Sequence, residues 1–249
     1  MTGPTIDQRS SRRAFEEVLD QLESAIAAGE YSPGDRLPSE RDLAVQLNAS
    51  RPSIREALRV LEALGVVDVQ RGTGHGITLR ETPATDSLAY LFRFHLALRH
   101  VDLKSVADIL TVYSRWAIRE ATKNSAPLLA SVLEEIVARM QDDRLSPEQF
   151  DELDVSFHLA VVIAADNEFG TLVIEGCRSA LSRLIEAATV TAKNWPARRR
   201  KLAKEHLDIF LAIRDGDADK AETLLTDHLT KWIKKGISKL EKSAPSLHA

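Results

Sequence analysis

Two capped helical segments separated only by "NAS", two short alternating stretches around a glycine-rich loop, and helical periodicity over nearly everything that follows predict a mainly α chain. The architecture expected is a winged helix-turn-helix over residues 1–80, a linker over 81–85, and an all-α bundle of six or seven helices over 86–242. The chain has 249 residues, of which 44% are hydrophobic and 28% charged, which supplies enough apolar sequence for two cores and too much for a disordered protein.

In the first part, Phe15, Val18, Leu19, Leu22 and Ile26 recur at i, i+3, i+4 spacing and predict a helix over 9–28. "GEYSPGDRL" stops it through Gly29, Pro33 and Gly34, residues whose backbone preferences make turns. Ser39 is suited to cap a second helix, with Asp42 three residues later in the manner of a capping box. That helix turns Leu43, Ala44 and Leu47 inward. Ser50 caps a third, and Pro52 falls in its first turn, where a missing N–H costs nothing. Ile54, Ala57, Leu58, Leu61 and Leu64 form its buried stripe, and Gly65 ends it. "VVDVQ" and "ITLR" then read as two strands joined through "RGTGHG".

Beyond Glu81 the pattern is helical throughout. Helices are expected over 86–98, 103–123, 127–143, 147–165, 168–191, 197–214 and 218–240. The separators are "NSAP", "RLSP", "ADN", "NWP" and "RDGD". The single cysteine, Cys177, precludes an internal disulfide and reads as a packed small hydrophobe within "TLVIEGCRSALSRLIEAA". No run reaches the roughly 18 apolar residues of a membrane span, and "MTGPTIDQRSSRRAFEE" lacks a signal core. A cytoplasmic protein without a membrane partner is expected.

Charge is informative by position and not by sum. The net charge is −4, and residues 1–80 hold ten arginines, no lysine and twelve acids. Yet Arg51, Arg55 and Arg59 lie at i, i+4, i+8 opposite the apolar stripe of the third helix, with Glu56 among them. Arg36, Arg41 and Arg71 flank that segment. One reading is a solvated face with Arg–Glu pairs, each worth a few tenths of a kcal/mol. The other is a face that enters the major groove of double-stranded DNA and reaches phosphates or guanine edges. The short turn, the capped helix, the arginine face and the glycine-rich wing occur in order, which favours the second.

A further constellation lies in the helical part. In "DELDVSFHLAVVIAADN", Asp154 and His158 stand four residues apart on a helix, so their β-carbons lie about 5–6 Å from one another. His206 and His228 each sit within apolar helical sequence. The four are either satisfied core polar groups or a three-histidine, one-carboxylate cage. Such a cage suits a divalent transition metal, with Zn²⁺ first and Ni²⁺, Fe²⁺ or Mn²⁺ as competitors. It could serve a metal-dependent hydrolase or oxygenase, with Glu152, Glu175 or Glu205 as the nearby acid, or it could serve a sensor. The DNA-binding half favours the sensor, and the chain is expected not to be an enzyme; the other alternative, a DNA-binding protein without an effector, would leave the four polar groups without a purpose. His75 reads as part of the wing, and His95 and His100 as helix-surface groups.

"PGDRLPSERDLAVQLNASRPSIREALRVLEALGVVDVQRGTGHGI" resembles the DNA-binding half of the GntR family of bacterial transcription regulators. The resemblance implies operator contacts from Arg41, Ser50, Arg51, Ser53, Arg55 and Gly72, with Arg71 beside the wing tip. Pro52 stands where relatives often carry threonine, and Asn48 where glycine is common. The remainder, over roughly 86–235, resembles the FCD effector domain of FadR-type members through "DVSFH", Asn167, "EHLDIFLAIRDGDADKAE" and "DHL". This likeness implies a metal held by Asp154, His158, His206 and His228, with a small carboxylate effector at an open metal position. The family's "R-x-x-L-E" pattern falls on "YSRWAIREA", which offers Arg115 to the effector and has Arg119 where glutamate is usual. It also implies a homodimer on an inverted-repeat operator, most simply as a repressor.

Overall fold

A computed structural model of the chain describes residues 8–70, 76–82, 84–190 and 194–243. The chain divides into two compact units, Met1–Ser87 and Leu88–Ala249. The fold is mainly α, with one small sheet among the described residues.

The first unit runs α1 (Gln8–Ala27), β1 (Arg36–Leu37), α2 (Glu40–Gln46), α3 (Arg51–Ala63), β2 (Val67–Gln70) and β3 (Gly76–Leu79). The expected caps are made. Ser39 accepts from the Asp42 N–H, and Ser50 from the Ser53 N–H. Asn48 takes the left-handed conformation, φ 48°, at the turn between α2 and α3, a state asparagine tolerates better than most residues. Val18 and Leu22 from α1, Leu43 from α2, and Ile54, Ala57 and Leu58 from α3 close on Val67, Ile77 and Leu79 of the sheet. A large aliphatic side chain so buried contributes about 1.5–3 kcal/mol, so this unit rests on a core of its own.

Two features depart from the sequence reading. Residues Arg36–Leu37 form a third strand, pairing antiparallel with β3 in the order β1-β3-β2, Arg36 opposite Thr78. Two residues carry no alternation to read; β3 recruits them. Leu64, assigned to the buried stripe, is 56% exposed, because it is the C-cap residue where α3 ends. Gly65 follows at φ 73°, and a β-carbon there would lie 2.3 Å from that of Ala84.

The second unit contains α4 (Thr85–Ala97) from Leu88 onward, α5 (Leu103–Met140), α6 (Pro147–Ile163), α7 (Glu168–Val190), α8 (Trp195–Arg214) and α9 (Ala218–Ser243). These are six helices among the described residues. The break expected at "NSAP" does not occur: α5 is a continuous 38-residue helix with Pro127 inside it. Pro127 removes one backbone hydrogen bond, at a cost of about 3 kcal/mol or more. Ala121 and Thr122 before it and Leu129 and Leu133 after it are all buried, and that packing outweighs the local penalty. α5 is the spine against which α6, α8 and α9 pack. A capping box at Ser146 and Gln149 starts α6. The corner after α5 is tied to α8: Trp195 Nε1–H donates to the Leu145 carbonyl, and buried Arg199 reaches both the Met140 carbonyl and Asp143. Cys177 is buried among Val106 and Leu181, as a packed thiol. No helix among the described residues is long and apolar enough to cross a membrane.

Candidate nucleic-acid interface and metal centre

The first unit presents its arginines on one side of α3. Packing of Ile54, Ala57 and Leu58 into the core turns Arg51, Arg55 and Arg59 outward, and all three are exposed. Arg41 on α2 is exposed and makes a loose 3.5 Å pair with its neighbour Asp42. Ser50 is exposed at the start of α3. Ser53 stands apart from this set. It is 7% exposed, and its hydroxyl lies 2.8 Å from that of Ser50, so it supports the cap instead of facing outward. Arg71, Gly72 and His75 lie outside the described residues. One neighbour was missed by the sequence reading: Glu40 Oε2 accepts from Arg55 Nε at 3.3 Å and Nη2 at 3.0 Å.

The second unit brings Asp154 and His158 of α6, His206 of α8 and His228 of α9 together. One ligand atom from each lies within 4.8 Å of the others. The three imidazoles are buried. From Asp154 Oδ1, the Nε2 atoms of His206, His158 and His228 are 3.1, 3.7 and 3.9 Å away. Phe157 stands edge-on to His206, 4.8 Å between ring centroids, and helps fix that ring.

Hydrogen bonds behind the rings decide which nitrogen faces the centre. His206 Nδ1–H donates to the Leu202 carbonyl at 2.9 Å, and His228 Nδ1–H donates to Glu205 Oε2 at 2.9 Å. In the neutral imidazole, a proton held at Nδ1 leaves an Nε2 lone pair facing Asp154 on each ring. His206 Nε2 is buried without a hydrogen-bond partner. A lone pair facing a carboxylate oxygen at 3.1 Å is a repulsive contact that a cation between them relieves. Burial alone would raise the Asp154 carboxyl; positive charge around it, from protonated imidazoles with His158 foremost, outweighs burial and holds the group far below the ordinary carboxylate range, and a bound cation would act in the same direction. Burial pushes His158 well below its usual range and keeps it neutral, the form that ligates. Three nitrogen donors and one carboxylate fit a borderline divalent transition ion better than Mg²⁺ or Ca²⁺.

Two further groups at this centre had no local signal in the sequence. Glu205, considered there only as a spare acid, orients His228 from α8 across to α9. Arg178 of α7 sets Nη2 3.6 Å from Asp154 Oδ2, and its Nε is buried without a hydrogen-bond partner. Arg115, the residue expected at an effector, is engaged elsewhere: Nε and Nη2 both donate to Glu222 Oε1 of α9, while Arg119 Nη1 reaches Glu222 Oε2 and Asp219. His95 of α4 and His100, which lies in the turn after that helix and not on a helix surface as expected, bring their Nδ1 atoms to 3.2 Å.

Comparison with known proteins agrees with both halves. Residues 14–77 match the family of bacterial regulatory proteins called the gntR family, and residues 114–231 match the FCD domain. The HTH-type transcriptional repressor NanR of Klebsiella aerogenes is 30% identical over 94% of this chain and 90% of its own. The galactonate operon transcriptional repressor of Escherichia coli is 30% identical over 83% of this chain and 90% of its own. A solved structure of a Streptococcus agalactiae GntR protein shares the fold, with a TM-score of 0.63 at 18% identity, over 88% of this chain and 99% of that one. These relatives are regulators and not enzymes. The chain therefore belongs to the GntR family of transcription regulators, with an FCD domain in its helical half.

Proposed function

We propose that the chain is a homodimeric repressor whose hold on an inverted-repeat operator is set by a small carboxylate effector bound at a metal in the helical unit. The observation that carries the metal reading is the buried, unpartnered His206 Nε2 facing the Asp154 carboxylate. Asp154, His158, His206 and His228 hold the ion, Zn²⁺ first, with Ni²⁺, Fe²⁺ and Mn²⁺ as alternatives. When bound, the ion supplies a Lewis-acidic anchor for a carboxylate. We assign the effector's second contact to Arg178, whose spare Nε is at the centre, and give Arg115 the task of joining α5 to α9. On the DNA side, Arg41, Ser50, Arg51 and Arg55, with the wing residues Arg71 and Gly72, meet the operator, and Ser53 holds Ser50.

Residues 1–80 serve as the DNA-binding domain, and the helices beyond 86 as the effector and dimerisation domain. α4 leaves Tyr90, Leu91 and Phe94 exposed, with Leu98 exposed just beyond its end, an apolar face suited to a second copy. Two such copies present two recognition helices to successive half-sites, so dimer geometry sets operator spacing. Derepression needs an effector that prefers the released form; a hundredfold preference corresponds to about 2.7 kcal/mol of coupling. Such a regulator acts in the cytoplasm. The name repressor on both relatives supports the sign. His206→Ala should abolish metal found by elemental analysis of the purified protein and the response of DNA binding to carboxylates. Full metal occupancy in that variant would defeat the assignment.

A further inference from the structure

The carboxylate of Glu40 sits against one of the three outward-facing arginines of α3. Glu40 opens α2 and lies fifteen positions from Arg55 in sequence, yet its Oε2 takes both the Nε and one Nη2 hydrogen bond of that side chain. A guanidinium has two hydrogen-bonding edges, one formed by Nε and Nη2 and one by its two Nη groups. Glu40 occupies the first. Among the described residues the second has no partner, and it is the fork that matches O6 and N7 of a guanine. The Arg55 side chain is 57% exposed and would otherwise sample many rotamers.

We propose that Glu40 is a specificity-determining residue, holding Arg55 so that its outer fork meets a base edge and not the nearest phosphate. The proposal rests on Arg55 as an operator contact. Two consequences follow from a carboxylate at this place. It orders Arg55 before DNA arrives, which lowers the entropy cost of a directional base contact. It also repels phosphates from the flank of the arginine, which disfavours binding to DNA of arbitrary sequence. Removing the charge should therefore move specific and non-specific affinity in opposite directions, which a loss of folding or a lost positive contact would not do.

The test uses the full chain and two duplexes, one selected from a random pool by the wild-type protein and one scrambled from it. Fluorescence anisotropy gives both affinities at fixed salt, and single base-pair substitutions in the selected duplex locate the pair whose discrimination depends on Arg55, through Arg55→Ala. For Glu40→Gln the expected result is a rise of about threefold on the scrambled duplex, from one phosphate-repelling charge fewer. Discrimination should fall about tenfold at the Arg55-dependent base pair and stay intact elsewhere. In the Arg55→Ala background, Glu40→Gln should change discrimination no further. Equal weakening on both duplexes, or undiminished discrimination at the Arg55-dependent pair, would overturn the role of Glu40 while leaving Arg55 in place. If Arg55→Ala weakens both duplexes but leaves every base pair discriminated as before, Arg55 is a phosphate contact and the role of Glu40 falls; if it changes neither affinity nor discrimination, the operator assignment of Arg55 fails as well.

Discussion

Replacing Glu205 with glutamine separates metal binding from folding. Glu205 touches the centre through one bond, Oε2 accepting from His228 Nδ1–H at 2.9 Å. That bond to His228 is the main reason its own carboxyl lies below the ordinary glutamate range. A carboxylate behind a ligating imidazole fixes the ring and strengthens its far nitrogen as a donor, and losing it costs 10- to 100-fold in metal affinity by general experience, about 1.4–2.7 kcal/mol. Glutamine keeps an oxygen that accepts the same hydrogen bond, so ring orientation survives and the charge alone is lost. Without metal, the side chain of Glu205 is 22% exposed and its partner ring is packed, so the metal-free stability should change by less than about 1 kcal/mol. Zn²⁺ competition against a chromophoric chelator reads the affinity, and urea unfolding of the chelator-stripped protein reads the stability. Unchanged Zn²⁺ affinity in Glu205→Gln would refute the argument, and so would a loss fully accounted for by metal-free destabilisation. Glu205→Ala, which removes the oxygen as well, should weaken Zn²⁺ further than Glu205→Gln.

Acid should destabilise the metal-free protein. His158 is buried with its folded value depressed below the ordinary 6.5, so the unfolded chain binds its proton first and stability declines as pH falls below about 6.5, by about 1.4 kcal/mol per unit for one proton. The stability tied to the depressed Asp154 carboxyl is present above the ordinary 3.8 and is lost on acidification, so it acts in the same direction. Urea midpoints between pH 8 and pH 5 check this, and a flat profile contradicts it; His158→Gln should flatten most of the decline above pH 5. Gly170→Ala should destabilise the helical unit by about 1–3 kcal/mol, because a β-carbon there would stand 1.9 Å from the buried Tyr113 hydroxyl. Because the ring carbons Cζ and Cε2 of Tyr113 would also stand at 2.3 and 2.4 Å, Tyr113→Phe should not restore the variant, and equal stability of Gly170→Ala and wild type by urea unfolding would contradict the clash.

Features written in local spacing could be read without a structure, and features made by contact between helices could not. The stripe of α3 and the caps at Ser39 and Ser50 depend on residues within four positions of each other, and each forms as the spacing requires. Asp154 and His158 were tied together by one helical turn; His206 and His228 could be named by type but not placed, since nothing local says that α8 and α9 converge on α6. Pro127 misled for the opposite reason. Its local preference is to break a helix, and only the burial of Leu129 and Leu133 against other elements overrides it. Leu64 misled because periodicity says nothing of the residue at which a helix stops. The pairs that the sequence hid share one form: Glu40 with Arg55, Glu205 with His228, Arg178 with Asp154. In each, a charged side chain on one helix steers a chemically competent side chain on another. Residue type therefore identifies which groups can contact DNA or metal, while the charge partner supplied by the fold governs how each of them is aimed.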